Sequence, residues 1–390
     1  MRARAAARLR AGHVWVYRSD LASPSSLPPG ALVAVRDPRG NVLGTALYSS
    51  ASQIALRMIS TGAVAAGAPF HALIRERIRA AAEYRRQVVS GSDAYRVVFS
   101  EADGLPGLIV DRYNDVLCLQ ALTQAMDQPE AKAAAVAALV EEFSPAGVVE
   151  RVEPRIRKLE QLPESKGGLL AGEKDATLFT MNDVRFHYRA GEGQKTGAFL
   201  DQRENYAAAA RYARGQALDV FCYQGGFALH LTRVCESVTG VDSSRPALEM
   251  AEQNEELNRA ASAVKEMEWI EANAFDLLKD YATAGRQYDA IVLDPPAFAK
   301  SKTTVETAVR GYKELNLRAL KMLRPGGVLV TCSCSYHLSE ADYLGVVAAA
   351  AADAHRTARI LEKRSQAKDH PVLLTVPETS YLKCLILVVS

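Results

Sequence analysis

Late in the chain, two stretches bring together side chains that could do chemistry. In Tyr288-Asp289-Ala290-Ile291-Val292-Leu293-Asp294-Pro295-Pro296-Ala297-Phe298-Ala299-Lys300, an apolar run that reads as a buried strand ends in an acid and two prolines. The prolines stiffen the loop and so hold the Asp294 carboxylate against whatever reacts there. Further on, Gly326-Gly327-Val328-Leu329-Val330-Thr331-Cys332-Ser333-Cys334-Ser335 is a turn and a strand that ends in thiols. A thiolate is nucleophilic near neutral pH. Added to carbon 6 of a cytosine, it creates an enamine whose carbon 5, otherwise a poor nucleophile, can attack a methyl donor. Two other readings stay open. Cys332 and Cys334 share strand parity and so face the same way, which would suit a metal pair, although the second C-x-x-C-like pair of a structural zinc site is missing. Both could also be buried apolar cysteines.

Upstream, three strand ends follow in the right order. Ala217-Leu218-Asp219-Val220-Phe221-Cys222-Tyr223-Gln224-Gly225-Gly226-Phe227 runs from an apolar strand through paired glycines into a helix. Gly225 and Gly226 would let the backbone approach a ligand at a helix amino terminus. Asp242 ends the next strand, Val238-Thr239-Gly240-Val241-Asp242-Ser243, where a nucleoside-binding sheet puts a carboxylate on ribose hydroxyls. Its alternative role is to open the helix that Ser243-Ser244-Arg245-Pro246 begins and that runs through Asn258. In Ile270-Glu271-Ala272-Asn273-Ala274-Phe275, Asn273 could read the edge of an adenine, with Ala274 offering only backbone.

These residues need a sheet to position them. From residue 184 onward strands and helices alternate, the pattern of a doubly wound parallel sheet. Before that, Val14 to Tyr17, Ala31 to Val35, Val42 to Tyr48 and Ile54 to Ile59 are short strands whose spacing suits a small β-barrel. Phe70 to Val89 has helical periodicity. A meander of Tyr95 to Phe99, Leu108 to Asp111 and Val116 to Leu122 follows, then an Ala-rich helix from Pro129 to Phe143 and a strand from Gly147 to Glu150. The expected division is residues 1–68, 69–183 and 184–390.

Composition narrows the class. With 390 residues, two or three domains are expected. A hydrophobic share of 48 %, a charged share of 24 % and a net charge of +2 describe an ordinary globular chain rather than a disordered or strongly basic one. The absence of a long apolar run argues against a membrane span and a secretory signal. Six scattered cysteines read as reduced thiols of a cytoplasmic protein. Arginines cluster at residues 1–18, 75–86 and 151–157, where they could contact phosphates or simply form solvated faces.

With these motifs in hand, the chain resembles the bacterial ribosomal RNA cytosine-C5 methyltransferases of the RlmI type, class I S-adenosyl-L-methionine enzymes with an amino-terminal PUA domain. The resemblance runs nearly the whole length. It is carried by His13-Val14-Trp15-Val16-Tyr17, Ala46-Leu47-Tyr48-Ser49-Ser50-Ala51-Ser52-Gln53-Ile54, Ser100-Glu101-Ala102-Asp103-Gly104-Leu105-Pro106-Gly107-Leu108, Tyr381-Leu382-Lys383 and, most specifically, Gly193-Gln194-Lys195-Thr196-Gly197-Ala198-Phe199-Leu200-Asp201-Gln202-Arg203. It implies a Rossmann-like methyltransferase domain preceded by a PUA-like β-barrel and a central α+β domain.

The resemblance also implies roles. Lys195, Thr196, Gln202 and Arg203 would pack over the cofactor, with Gln202 and Arg203 its contacts. Phe221, Tyr223, Gly225 and Gly226 would border it, Asp242 and Ser243 its ribose, Asn273 and Ala274 its adenine, and Asp294 and Pro295 its reactive end. Asp294 would also touch the cytosine, and Lys195, Pro296, Phe298 and Lys300 would line the substrate side. Cys334, within the family's Ser-Cys-Ser pattern, would be the nucleophile. No metal is implied. The expected partner is large-subunit ribosomal RNA, with a homodimer plausible and no membrane. Two features depart from the pattern of relatives: the amino terminus is short of the usual first strand, and Ala297 stands where two-cysteine RNA methyltransferases carry a second Cys, so the base that completes the reaction is unassigned. Rival readings are methylation of an exocyclic amine at Asp294-Pro295-Pro296 and an RNA-binding module with a vestigial cofactor site. Phe298, one residue late for the amino-methylating pattern, argues against the first.

Overall fold

The computed structural model describes residues 1–21, 27–191, 197–261, 266–298 and 305–390. They divide into two compact units. The first comprises Met1–Thr180, Tyr188–Gly197 and Lys368–Thr379; the second comprises Met181–His187, Ala198–Ala367 and Ser380–Ser390.

The first unit opens with a helix that strand-and-turn spacing does not foretell, α1 (Ala3–Arg10). It buries Ala5 and Ala6 and leaves its arginines at the rim. Then come β1 (Trp15–Tyr17), β2 (Leu32–Arg36), β3 (Val42–Tyr48) and β4 (Ile54–Ser60), an antiparallel sheet in the order β1-β4-β3-β2. Helix α2 (Ala68–Val88) leads to β5 (Ala94–Phe99), β6 (Leu108–Tyr113), β7 (Val116–Ala121), α3 (Pro129–Phe143), β8 (Gly147–Glu150), α4 (Pro154–Glu160) and β9 (Gly168–Gly172). These strands form one sheet in sequence order, β5-β6-β7-β8-β9. Ile74, Ile78 and Ala81 of α2 and Ala135, Ala138 and Leu139 of α3 pack on Val98, Val110 and Leu119 of the sheet.

The basic clusters of this unit are largely bound within it. Arg4 and Arg8 reach the buried Asp20 carboxylate at 2.7 and 2.8 Å, and Arg10 pairs with Asp37. Arg157 grips Asp127 with both guanidinium nitrogens at 3.0 Å. Arg85 is wholly buried; it donates to Asp103 and to the carbonyls of Arg96 and Asp369. A buried guanidinium needs such partners, because an unpaired charge in the interior is strongly destabilising. These contacts tie the arginines into the fold, while the side chains of Arg4 and Arg10 stay more than half exposed.

A ribbon of β10 (Ala176–Met181) and β11 (Val184–Arg189) precedes the second unit's elements. These are α5 (Arg203–Tyr212), β12 (Gln216–Val220), α6 (Gly226–Leu231), β13 (Ser237–Asp242), α7 (Arg245–Asn258), β14 (Glu266–Glu271), α8 (Ala274–Thr283), β15 (Tyr288–Leu293), α9 (Val305–Met322), β16 (Leu323–Ser333), α10 (Glu340–Asp353), β17 (Ala358–Arg364) and β18 (Lys383–Val389). The sheet order is β14-β13-β12-β15-β16-β18-β17, parallel except for β18, which runs antiparallel between β16 and β17. Leu218 and Val220 of β12, Ile291 and Leu293 of β15 and Leu329 of β16 pack against Tyr312, Leu315 and Ala319 of α9 and Tyr343 and Val347 of α10. Near-continuous apolar runs are what a parallel sheet covered on its faces demands. The connection reverses direction at β12, whose neighbours are β13 on one side and β15 on the other, and such switch points open a crevice at the carboxyl ends of the strands. Among the described residues no helix is long and apolar enough to cross a membrane.

Candidate functional site

The loop leaving β12 is held in an unusual conformation. Phe221, Tyr223 and Gly225 have φ of 68°, 50° and 86°, so three left-handed residues alternate over five positions. For the two aromatic residues this is strained backbone, of the kind that persists where surrounding bonds over-determine it. Asp242, at the end of β13, supplies those bonds: Oδ2 accepts from the Tyr223 amide and Oδ1 from the Ser244 amide, both at 2.9 Å. The glycines are required by close approach. A Cβ on Gly225 would lie 2.9 Å from Trp269, and one on Gly226 would lie 2.5 Å from the Tyr206 hydroxyl.

Beneath this loop sits Asp219, an acid inside an apolar strand and fully buried. Its Oδ2 accepts from the Ala228 amide at 2.8 Å, so the first turn of α6 faces this carboxylate. Oδ1 has no hydrogen-bond partner among the described residues. Burial, reinforced by the nearby charges of Asp294 and Asp242, pushes the Asp219 carboxyl up to about 8. Also on α6, the His230 ring lies between two carbonyls, Nδ1 2.7 Å from that of Gly226 and Nε2 3.1 Å from that of Met181, with the Asn182 amide 3.3 Å from Nε2. Burial lowers this imidazole to about 4, which keeps it neutral.

A narrow cleft of about 20 Å³ lies above the loop. Phe199, Tyr206, Phe221, Tyr223, Gly226 and Asp294 contribute to its walls. The structure thus brings Phe221, Tyr223, Gly226 and Asp294 into one cleft and joins Asp242 to it through the Tyr223 amide. Gln202 and Arg203 are both 2 % exposed and lie outside that lining. Gln202 Oε1 accepts from Asn205 at 2.7 Å, and the carbonyl of Arg203 accepts from Asn182 at 2.8 Å. Asn273 caps α8, its Oδ1 accepting from the Phe275 and Asp276 amides at 2.9 and 3.4 Å, with Ala274 buried behind it. Ser243 is exposed beside Asp242. Lys195 and Lys300 fall outside the described residues.

On the far side of the switch point, Asp294 follows β15 and Cys334 follows β16, with Leu293 and Thr331 in register between the two strands. The Asp294 amide reaches back to the Val220 carbonyl of β12 at 3.3 Å. The Cys334 thiol donates to the Pro295 carbonyl at 3.9 Å. Pro296 is exposed, and Phe298 stacks obliquely on Tyr312 with ring centroids 4.8 Å apart. Equal strand parity does not make the two thiols equivalent. Cys332 is fully buried opposite Cys384, and burial raises its thiol well above the ordinary range. Cys334 lies beyond the strand end and is half-buried, while Cys118, Cys222, Cys235, Cys332 and Cys384 are buried. Among the described residues no three His, Cys, Asp or Glu side chains cluster so as to hold a metal ion.

Sequence reasoning passed over three participants. Asp219 was signalled by its charge in an otherwise apolar strand; Tyr206 and His230, which pack 5.1 Å apart by ring centroids, carried no local signal.

A cleft walled by Asp294 and aromatic rings, with Asp242 tied to its loop and the buried Asp219 in the strand behind, suits a ligand that carries cationic centres and a nucleoside. Comparison with known proteins agrees. A model described as a PUA-like domain matches residues 1–61, and one described as an S-adenosylmethionine-dependent methyltransferase matches residues 104–385. The chain is 36 % identical over 384 residues to the Photobacterium profundum protein named Ribosomal RNA large subunit methyltransferase I, covering 96 % of this chain and 95 % of that one. It is 37 % identical over 392 residues to the Shewanella amazonensis protein of the same name, covering 96 % and 94 %. Among solved structures, a Streptococcus mutans chain described as a SAM-dependent methyltransferase superposes with a TM-score of 0.82 at 18 % identity, covering 98 % of this chain and 97 % of that one. SMU.776, complexed with SAH, matches with the same TM-score, identity and coverage.

Proposed function

The chain belongs to the S-adenosylmethionine-dependent methyltransferases of the ribosomal RNA large subunit methyltransferase I family, and from that premise we propose that it methylates carbon 5 of a cytidine in large-subunit (23S) ribosomal RNA through a covalent Cys334 adduct. One observation carries the choice of carbon 5: Cys334 is the half-buried thiol beside the Asp294-Pro295-Pro296 loop, whereas the other cysteines are buried.

When bound, S-adenosyl-L-methionine supplies an electrophilic methyl group on a sulfonium centre. Asp242 would hold its ribose and the backbone from Phe221 to Gly226 would border it, with the buried Asp219 carboxylate in the strand behind offsetting its positive charge. Tyr206 and Phe199 close the cleft against water. On the substrate side, Cys334 gives up its proton and its sulfur bonds to carbon 6, while the ring gains a proton at N3. Asp294, hydrogen-bonded at N3 or the exocyclic amine, relieves the negative charge that thiol addition puts into the ring. Carbon 5 is methylated and then loses its hydrogen as a proton, the carbon–sulfur bond breaks to return the Cys334 thiolate, and N3 gives back the proton it gained, to the thiolate or to solvent. Residues 1–68 serve as the PUA-like RNA-binding part, 69–183 as a central part and 184–390 as the catalytic part. The target base is unstacked to reach the site, as chemistry on a base requires.

The test is incubation of wild-type protein and the Cys334→Ala variant with labelled S-adenosylmethionine and unmodified ribosomal RNA, followed by nucleoside mass spectrometry. 5-Methylcytidine from the wild type alone is the expected result. A methylated purine, a methylated exocyclic amine or equal activity in the variant overturns the assignment.

A further inference from the structure

The proposed reaction requires a base for the carbon 5 proton, and the topology of the sheet identifies one. Six of its strands run the same way and end at the edge that carries Asp242, Asp294 and Cys334. β18 runs the other way, so its first residue, Lys383, arrives at that same edge, in register with Ser333 of β16. Along the edge the order is therefore Asp242 (β13), Phe221 (after β12), Asp294 (β15), Cys334 (β16) and Lys383 (β18). The cofactor cleft lies at the β12–β13 end of this row and Cys334 toward the other end. A pyrimidine held at Asp294 receives its methyl group from one side and the thiol from the other. Methyl arrival from the cleft side turns the carbon 5 hydrogen toward the side of Cys334 and Lys383.

Lys383 is built into that position. It is half-buried, and its Nζ donates to the carbonyls of Ser335 at 2.7 Å and Tyr381 at 3.0 Å. Ser335, the residue after the nucleophile, is itself fixed by a 2.9 Å hydrogen bond between its hydroxyl and that of Tyr312. The amine borders a cavity of about 300 Å³ that is also lined by Tyr336, Glu340, Lys363 and Arg364. Burial lowers the Lys383 ammonium from the ordinary lysine range; Cys334 and Glu340 are the acidic groups whose charges oppose this, and Glu340 is paired with Lys363 at 3.3 Å. The two carbonyls leave one further position on Nζ, which holds a proton in the ammonium and the lone pair in the neutral amine.

We propose that Lys383 is the general base that removes the carbon 5 proton and so releases the methylated base from Cys334, a role that rests on the thiol mechanism above. The electron balance is simple. The Nζ lone pair takes the proton, the carbon 5–hydrogen pair becomes the carbon 5–carbon 6 π bond, and the carbon 6–sulfur pair leaves on Cys334 as thiolate. The ammonium then returns its proton to the thiolate or to solvent.

The experiment compares wild type, Lys383→Met and Lys383→Arg in single- and multiple-turnover reactions with labelled S-adenosylmethionine and unmodified 23S ribosomal RNA. Arginine keeps a cation able to donate to both carbonyls but cannot accept a proton. Both variants should transfer about one methyl per protein and then stall as a methyl-labelled, covalent protein–RNA complex on a denaturing gel. Turnover should drop by about 10²–10⁴-fold, the usual worth of general acid–base catalysis. Wild-type turnover by Lys383→Arg, or loss of turnover in both variants without the labelled complex, overturns the proposal. A separate arm offers the wild type RNA substituted with 5-fluorocytidine, whose carbon 5 carries no removable proton. Failure to trap a Cys334-dependent complex there overturns the thiol mechanism itself, whatever Lys383 does.

Discussion

The Tyr223 amide donates to Asp242 Oδ2 across 2.9 Å, tying the strained loop after β12 to the end of β13. One carboxylate thereby fixes the left-handed Tyr223, and in the proposed reading its remaining lone pairs would also meet the cofactor's ribose. Asp242→Ala removes both. A hydrogen bond to a charged group contributes roughly 1.5–3 kcal/mol, so cofactor affinity should fall by about 10- to 150-fold. Titration calorimetry with S-adenosylhomocysteine reads this directly. Unchanged affinity would show that the loop holds its shape without Asp242.

Asp219 makes the free protein sensitive to alkali. Its carboxyl is pushed up to about 8 in the folded chain against an ordinary value of 3.8. Between those values the folded state holds a proton that the unfolded state has lost, so stability falls as pH rises through this window. Asp219→Asn has nothing to titrate there. Melting temperatures of the cofactor-free proteins at pH 6 and pH 9 should diverge in favour of the variant at the higher pH. A cationic ligand favours the ionised carboxylate, so wild-type affinity for S-adenosylmethionine should climb toward pH 8 by up to about tenfold per unit and level off above it.

His230 works in the opposite direction. Its folded value of about 4 lies below the ordinary 6.5. Between them the unfolded state binds a proton that the buried, neutral ring does not, so this residue's share of stability is present above 6.5 and is lost as pH falls toward 4. Replacement by glutamine, which can donate to the Gly226 carbonyl without titrating, should flatten the change in urea midpoint between pH 5 and pH 7. An equally steep acid loss in His230→Gln would assign it to other groups.

Thiol chemistry should single out Cys334. Brief treatment of the native protein with iodoacetamide, followed by peptide mass spectrometry, should modify Cys334 well before the five buried cysteines, because access and thiolate character govern the reaction. Methylation of RNA should disappear in step with that one modification. Faster labelling of Cys222 or Cys332 would contradict the burial that distinguishes them.

The parts of the molecule that were legible in the sequence are those fixed by local rules. Pro129–Phe143 could be bounded to the residue because proline at its first turn and an alanine-rich run make a helix on their own terms. Gly147–Glu150 and Val42–Tyr48 were likewise readable from their apolar runs and flanking turns. Helix α1 was not, since its apolar face is only Ala5, Ala6 and Leu9 among arginines; Asp20, sixteen residues from Arg4, supplies the counter-charge. The same limit applies at the site. Gly225, Asp242, Asp294 and Cys334 stand at strand ends and could be found from strand order. Asp219 needed knowledge of its burial. Lys383, forty-nine residues after Cys334, acquires its meaning only once β18 is known to insert beside β16.

That insertion also shapes how the chain can assemble. β18 follows β17 in sequence yet lies between β17 and β16, hydrogen-bonded to both. The sheet therefore cannot grow strand by strand as the chain lengthens. Until β18 arrives, the β16 edge is an open template and β17 has no neighbour, and exposed edges of this kind invite pairing with other chains. Its closing contacts are long-range, and such contacts form slowly. Insertion of β18 thus closes the sheet and brings Lys383 beside Ser333 in one event, so a molecule without that strand in place would lack the proposed base.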